Sequence, residues 1–155
     1  MRKSLHVGLA VLGAATLTLG LTAPATAITG GDADGNGHPN VGLISFYEDG
    51  GRYRCTATLV NPTTLITAAH CVATDGLTAV TFKSEQAVLP PSGLPLAADP
   101  AKGYTEADIK ATPGFYAGKA IAHPAYSNFT DLANWNDVAV VKFDKPIEGI
   151  TPATI

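Results

Sequence analysis

The sequence predicts an all-β domain, and three observations carry that expectation. Glycine and proline are frequent, 16 and 11 in 155 residues, so turns fall too close together for long helices. Apolar residues recur in short runs, one with the every-other-residue spacing of a strand that buries one face. Only a few stretches could form a long amphipathic helix. With 46% apolar and 15% charged residues, the composition is that of an ordinary globular protein. The length suffices for one domain with a sizeable core.

Residues 1–27 stand apart from that domain. Arg2 and Lys3 give a positive start, an apolar run follows from Val7 to Leu21, and Ala25-Thr26-Ala27 places small residues at the cleavage-specifying positions. That three-part pattern is a secretory signal peptide. The run is too short to span a bilayer comfortably, and no later stretch could cross one, so no membrane association is expected after signal removal. Cleavage after Ala27 would make Ile28 the mature N-terminus, followed by Thr29-Gly30-Gly31. Residues 28–155 are then an exported, extracellular domain.

Its elements read in order. Asp32 to Asn40 is a loop, Val41–Tyr47 a strand, and Glu48-Asp49-Gly50-Gly51 a hairpin turn. Tyr53, Cys55, Ala57 and Leu59 alternate with more polar neighbours, as a half-buried strand does. Asn61-Pro62 turns the chain into a further strand, Thr64–Thr67, and Ala68–Val72 fits one short helical turn. Ala79–Phe82 is another strand. From Lys83 to about Gly118 five prolines break any regular element, apart from a helical turn or two at Glu106–Ala111, so this stretch reads as a long surface excursion. Strand character resumes at Lys119–Ala122 and is strongest at Val138–Phe143. The chain stops at Thr151-Pro152-Ala153-Thr154-Ile155 as if in mid-course.

Charge and cysteines bound the function. Losing Arg2 and Lys3 takes 10 Lys+Arg to 8 while 13 Asp+Glu remain, a net of −5. The acids are scattered, and this balance gives no electrostatic footprint for nucleic acid. Cys55 and Cys71 are the only cysteines. In an exported protein an even pair predicts one disulfide rather than two free thiols, and closing a loop of that size contributes about 3 kcal/mol. Cys55, His70 and Cys71 match no common zinc spacing and lack a fourth ligand, so no metal and no cofactor is expected. Asn128-Phe129-Thr130 fits the N-glycosylation pattern, and His38 and Trp135 read as loop or packing residues.

Two clusters could carry chemistry. Leu65-Ile66-Thr67-Ala68-Ala69-His70-Cys71 places a histidine at a strand end, where a bridge to Cys55 would pin its backbone. A general base needs such fixed placement, because proton transfer requires hydrogen-bond reach of about 2.6–3.2 Å. A structural histidine beside a disulfide is the plainer alternative. Asn136-Asp137-Val138-Ala139-Val140 sets a carboxylate at the mouth of an apolar strand. There it could orient an imidazole, or simply cap the loop.

Taken together, these segments resemble the trypsin/chymotrypsin family of serine proteases. Thr67-Ala68-Ala69-His70-Cys71 is similar to that family's histidine motif, and Asn136-Asp137-Val138-Ala139-Val140 to its aspartate motif. Ile28-Thr29-Gly30-Gly31 resembles its mature N-terminus, and His123-Pro124-Ala125-Tyr126 a segment found between the two motifs. Order is preserved, and the overall flavour is that of bacterial secreted members. The resemblance implies two six-stranded antiparallel β-barrels with the active site between them, this chain supplying the N-terminal barrel and lacking the second. It implies His70 as general base, Asp137 as its orienting partner, and a Cys55–Cys71 bridge. It also implies a polypeptide substrate, if a second barrel completes the site.

The sequence departs from the family in one decisive respect. Its serines are Ser4, Ser45, Ser84, Ser92 and Ser127, none in a Gly-Asp-Ser-Gly-Gly or Gly-x-Ser-x-Gly setting. The nucleophile, the oxyanion-hole amides, the specificity pocket and the aspartate that pairs with the new α-ammonium group would all lie on the absent barrel. The span from His70 to Asp137 is longer than in many relatives, consistent with an insertion at the proline-rich excursion. Besides a serine endopeptidase represented by an incomplete chain, the sequence leaves open a non-catalytic protease-like binding module and an inactive truncated product.

Overall fold

The computed structural model describes residues 34–72, 76–83, 93–131 and 133–154. The signal peptide expected at 1–27 and the expected mature N-terminus, Ile28, lie outside them.

Six strands form one closed antiparallel barrel: β1 (Val41–Glu48), β2 (Gly51–Asn61), β3 (Thr64–Thr67), β4 (Leu77–Thr81), β5 (Tyr116–Ala122) and β6 (Ala139–Lys142). Around the ring the order is β1-β2-β3-β6-β5-β4, and β1 pairs with β4 to close it. Closure leaves no unpaired sheet edge. The β1–β2 hairpin turns as its sequence predicts. Glu48 pairs with Gly51, and both intervening residues take positive φ, Asp49 at 49° and Gly50 at 76°. That is the two-residue turn whose twist matches the strands.

Alternate residues of the strands fill the interior. Ile44, Leu59, Leu65, Val80 and Val141 are wholly buried there, each stabilising the barrel by about 1.5–3 kcal/mol on transfer from water. Gly118 is needed on β5, because a Cβ there would overlap Val141 and press on Phe143. β5 begins at Tyr116, three residues ahead of the Lys119 expected from sequence, and continues straight out of the proline-rich stretch.

That stretch differs from the surface excursion expected. Among its described residues, Leu94, Ala97, Tyr104, Ile109 and Phe115 are buried against Leu43, Tyr47 and Ala79 on the outer wall of the barrel, a second core. The physical reason lies in β1, whose positions 42–47 are buried on both faces and therefore need cover outside as well as inside. Polar groups anchor the cover. Tyr104 Oη–H donates to the Pro95 carbonyl at 2.8 Å, which leaves the Ser45 hydroxyl to donate to Tyr104 Oη at 3.0 Å. Arg52 donates to the carbonyls of Leu94 and Pro95 at 3.2 and 2.8 Å. The short helix α1 (Glu106–Lys110) starts on a capping box formed by Thr105 and Asp108 and buries Ile109. Among the described residues no helix is long and apolar enough to cross a membrane.

Candidate active site

β3 and β6 run antiparallel, so the end of one lies beside the beginning of the other. Their final register pair is Thr67 with Ala139. Three residues beyond Thr67 and two before Ala139, His70 and Asp137 are thereby delivered to the same end of the barrel. His70 sits in a 3-10 turn, Ala69–Val72, and Asp137 in the tight turn before β6 that the Val138 N–H closes on the Asn136 carbonyl.

The carboxylate holds the histidine at two points. The His70 backbone N–H donates to Asp137 Oδ1 at 2.9 Å, and ring Nδ1 lies 2.8 Å from Oδ2. Burial alone would push the Asp137 carboxyl up. The His70 amide, the His70 ring and the Ala69 amide outweigh it and hold the group below the ordinary aspartate value. An ionised carboxylate only accepts, so Nδ1 carries the proton and Nε2 is left as the basic ring nitrogen. Asp137 is 21% exposed and His70 48%. The carboxylate is thus largely screened from solvent, while the imidazole is reachable from outside.

The turn itself is pinned. Cys71, directly after His70, is bonded to Cys55 on β2 with Cα atoms 5.9 Å apart. Cys55, His70 and Cys71 bring their donor atoms within 4.8 Å of one another, but sulfurs bonded to each other are not the thiolates a metal needs. The donor set therefore fits no zinc centre.

Residues between β5 and β6 add what the sequence did not disclose. Phe129 sets its ring against His70, centroids 5.9 Å apart and planes at 43°. Trp135 and Tyr126 each meet Phe129 edge to face, at 5.5 and 6.0 Å. The available signal was three aromatics, Tyr126, Phe129 and Trp135, spaced through the stretch just ahead of Asp137. Asn136 stands at a φ of 46° and donates from its side chain to the carbonyls of Ala125 and Asn134 at 3.0 Å, which fixes the approach to Asp137. His38 pairs with Asp34 instead. Ser45 and Ser127 are engaged with Tyr104 and with the Asp131 carbonyl, so neither is hydrogen-bonded to His70.

The chain is similar to proteins of known family and structure. A protein-family model described as Trypsin matches residues 28–154. A solved structure described as GrC is similar at 18% identity with a TM-score of 0.46, over 78% of this chain and 45% of that one. A solved HL collagenase is similar at 20% identity with a TM-score of 0.54, over 82% of this chain and 46% of that one. The chain thus spans under half the length of either solved structure. No curated protein matches it.

Proposed function

The chain belongs to the trypsin family, and from that premise we propose that it is the histidine- and aspartate-bearing half of a secreted serine endopeptidase. The observation that carries this reading is the two-point grip of Asp137 on His70, at 2.9 Å to the backbone and 2.8 Å to the ring. A general base must keep one nitrogen protonated toward its orienting carboxylate and the other free to take a proton.

In this reading Nε2 of His70 takes the proton of a serine hydroxyl as that oxygen attacks the peptide carbonyl. The imidazolium is stabilised by Asp137, and the proton passes to the leaving amine. Water then repeats the cycle to release the acyl group. The serine and the amides that stabilise the oxyanion would come from a second barrel. Its docking side is suggested by the outer face of β3, β6 and β5. Register aligns Ile66, Val140 and Ile121 there in one row, with Ile66 and Ile121 40% and 42% exposed. An exposed apolar row of this kind suits an interaction surface.

Export is proposed from the pattern of residues 1–27 and agrees with a disulfide beside the site, since such bridges persist in oxidising compartments. The polypeptide domain then starts at Ile28, and N-terminal sequencing of the secreted product checks that boundary.

The test of the activity begins with the encoding DNA beyond codon 155. A continuing frame with Gly-Asp-Ser-Gly-Gly is expected within about the length of one more domain. Expression of the joined frame should give peptidase activity that His70→Ala lowers by roughly four orders of magnitude or more. No such motif in any frame, or full activity in His70→Ala, overturns the proposal.

A further inference from the structure

We propose that Phe129 is a positioning residue that keeps the His70 imidazole turned toward Asp137. Backbone geometry first draws attention to it. Among the described residues, four that are not glycine take positive φ: Asp49, Asn128, Phe129 and Asn136. Asp49 belongs to the β1–β2 turn. The other three lie in the segment joining β5 to β6, which carries Asp137 near its end. Asparagine visits this region readily, but a phenylalanine at a φ of 61° is strained by its own Cβ. Such strain persists only where the surroundings hold it, and it gathers at functional sites.

What holds it is on both sides of the residue. Asn128 and Phe129 are the central pair of a turn closed by the Thr130 N–H donating to the Ser127 carbonyl at 3.0 Å, and the Thr130 hydroxyl donates to the same oxygen. The ring is braced edge-on by Trp135 and by Tyr126, at interplanar angles of 87° and 86°. This trio does not serve to hide itself, since Phe129 remains 44% and Trp135 47% exposed. It places an aromatic ring against the His70 imidazole instead.

His70 needs a second restraint. Its side chain is 48% exposed, and on the ring a single hydrogen bond faces Asp137. A half-exposed imidazole held that way has staggered alternatives that point into solvent. The Phe129 ring packs against it and disfavours that swing. The contact itself is independent of any activity; that the position matters for proton transfer rests on the reading proposed above.

The test is NMR on the whole chain, reading the His70 Hα–Hβ couplings and ring contacts that report its side-chain rotamer. Phe129→Ala should move the ratio of Asp137-facing to solvent-facing rotamer by roughly five-fold, the worth of one aromatic contact. Phe129→Tyr should leave it unchanged. Phe129→Gly separates positioning from structure, because glycine is at ease at this φ. The barrel amide spectrum should be retained while the His70 rotamer ratio shifts as in Phe129→Ala. Wild-type couplings in both the alanine and glycine variants overturn the proposal. So does a shift in Phe129→Tyr as large as in Phe129→Ala, or loss of the barrel spectrum in Phe129→Gly. No substrate enters the measurement, so it stands even if the protease reading fails.

Discussion

Asp137 accepts from both the backbone amide and the ring of His70, a residue 67 positions away in sequence, at 2.9 and 2.8 Å. One carboxylate therefore fixes the turn that carries the imidazole and the imidazole itself. The amide contact and the Cys55–Cys71 bridge on the adjoining residue hold the turn, while the ring itself faces the carboxylate through one hydrogen bond.

Removing the carboxylate should cost more than one hydrogen bond. In Asp137→Ala the amides of Ala69 and His70 both lose their acceptor, and the expected loss is about 1–3 kcal/mol. Asp137→Asn keeps one side-chain oxygen and should lose about half as much. Urea midpoints at neutral pH, with unchanged slopes, check both values.

Acid should narrow that difference between variant and wild type. The Asp137 carboxyl lies below the ordinary value of 3.8 in the folded chain, so through the acid range the unfolded state binds more protons and stability rises with pH. The contribution is complete above the unfolded value, about 3.9, and disappears as pH falls through the folded one. The gap in urea midpoint between wild type and Asp137→Ala should shrink as pH falls below about 4. A gap independent of pH down to 2 would show that the ion contributes nothing.

Opening the disulfide should weaken the barrel and the site together. The bridge closes a sequence separation of 16, and the double substitution Cys55→Ala with Cys71→Ala should cost about 3 kcal/mol. Hydrogen exchange should rise first at Ala69–Val72. Equal protection of that turn in oxidised and substituted protein would contradict its anchoring role.

The proline-rich stretch should behave as part of the fold. Tyr104→Phe removes the hydroxyl that links buried Ser45 to the Pro95 carbonyl and should cost about 1–2 kcal/mol. Limited proteolysis between residues 93 and 115 should accelerate in the variant while β5 and β6 stay protected. An unaltered cleavage rate would mean that the network does not hold the cover down.

Local chemistry made the strands readable. The hairpin at Asp49-Gly50, the 3-10 turn around His70 and the apolar β6 all follow from neighbouring residues, and their spans differ from the sequence reading by a residue or two. The cover over β1 was harder to see. Pro95, Pro100 and Pro113 hide any period, and the groups that dock it, Ser45 with Tyr104 and Arg52 with Leu94 and Pro95, are distant in sequence. The one local hint was β1 itself, apolar on both faces where a barrel wall exposed to solvent would be apolar on one.

By itself the sequence determined an all-β domain and the paired cysteines, which depend on residue type and short spacing. The resemblance of its histidine and aspartate motifs to a protease family, rather than spacing, implied the barrel and singled out His70 and Asp137. Only the tertiary structure decided that the carboxylate takes the amide as well as the ring, and that a strained Phe129 lies against the same imidazole. Both relations arise where strands far apart in sequence are brought side by side by closing a barrel, and no short-range pattern encodes them.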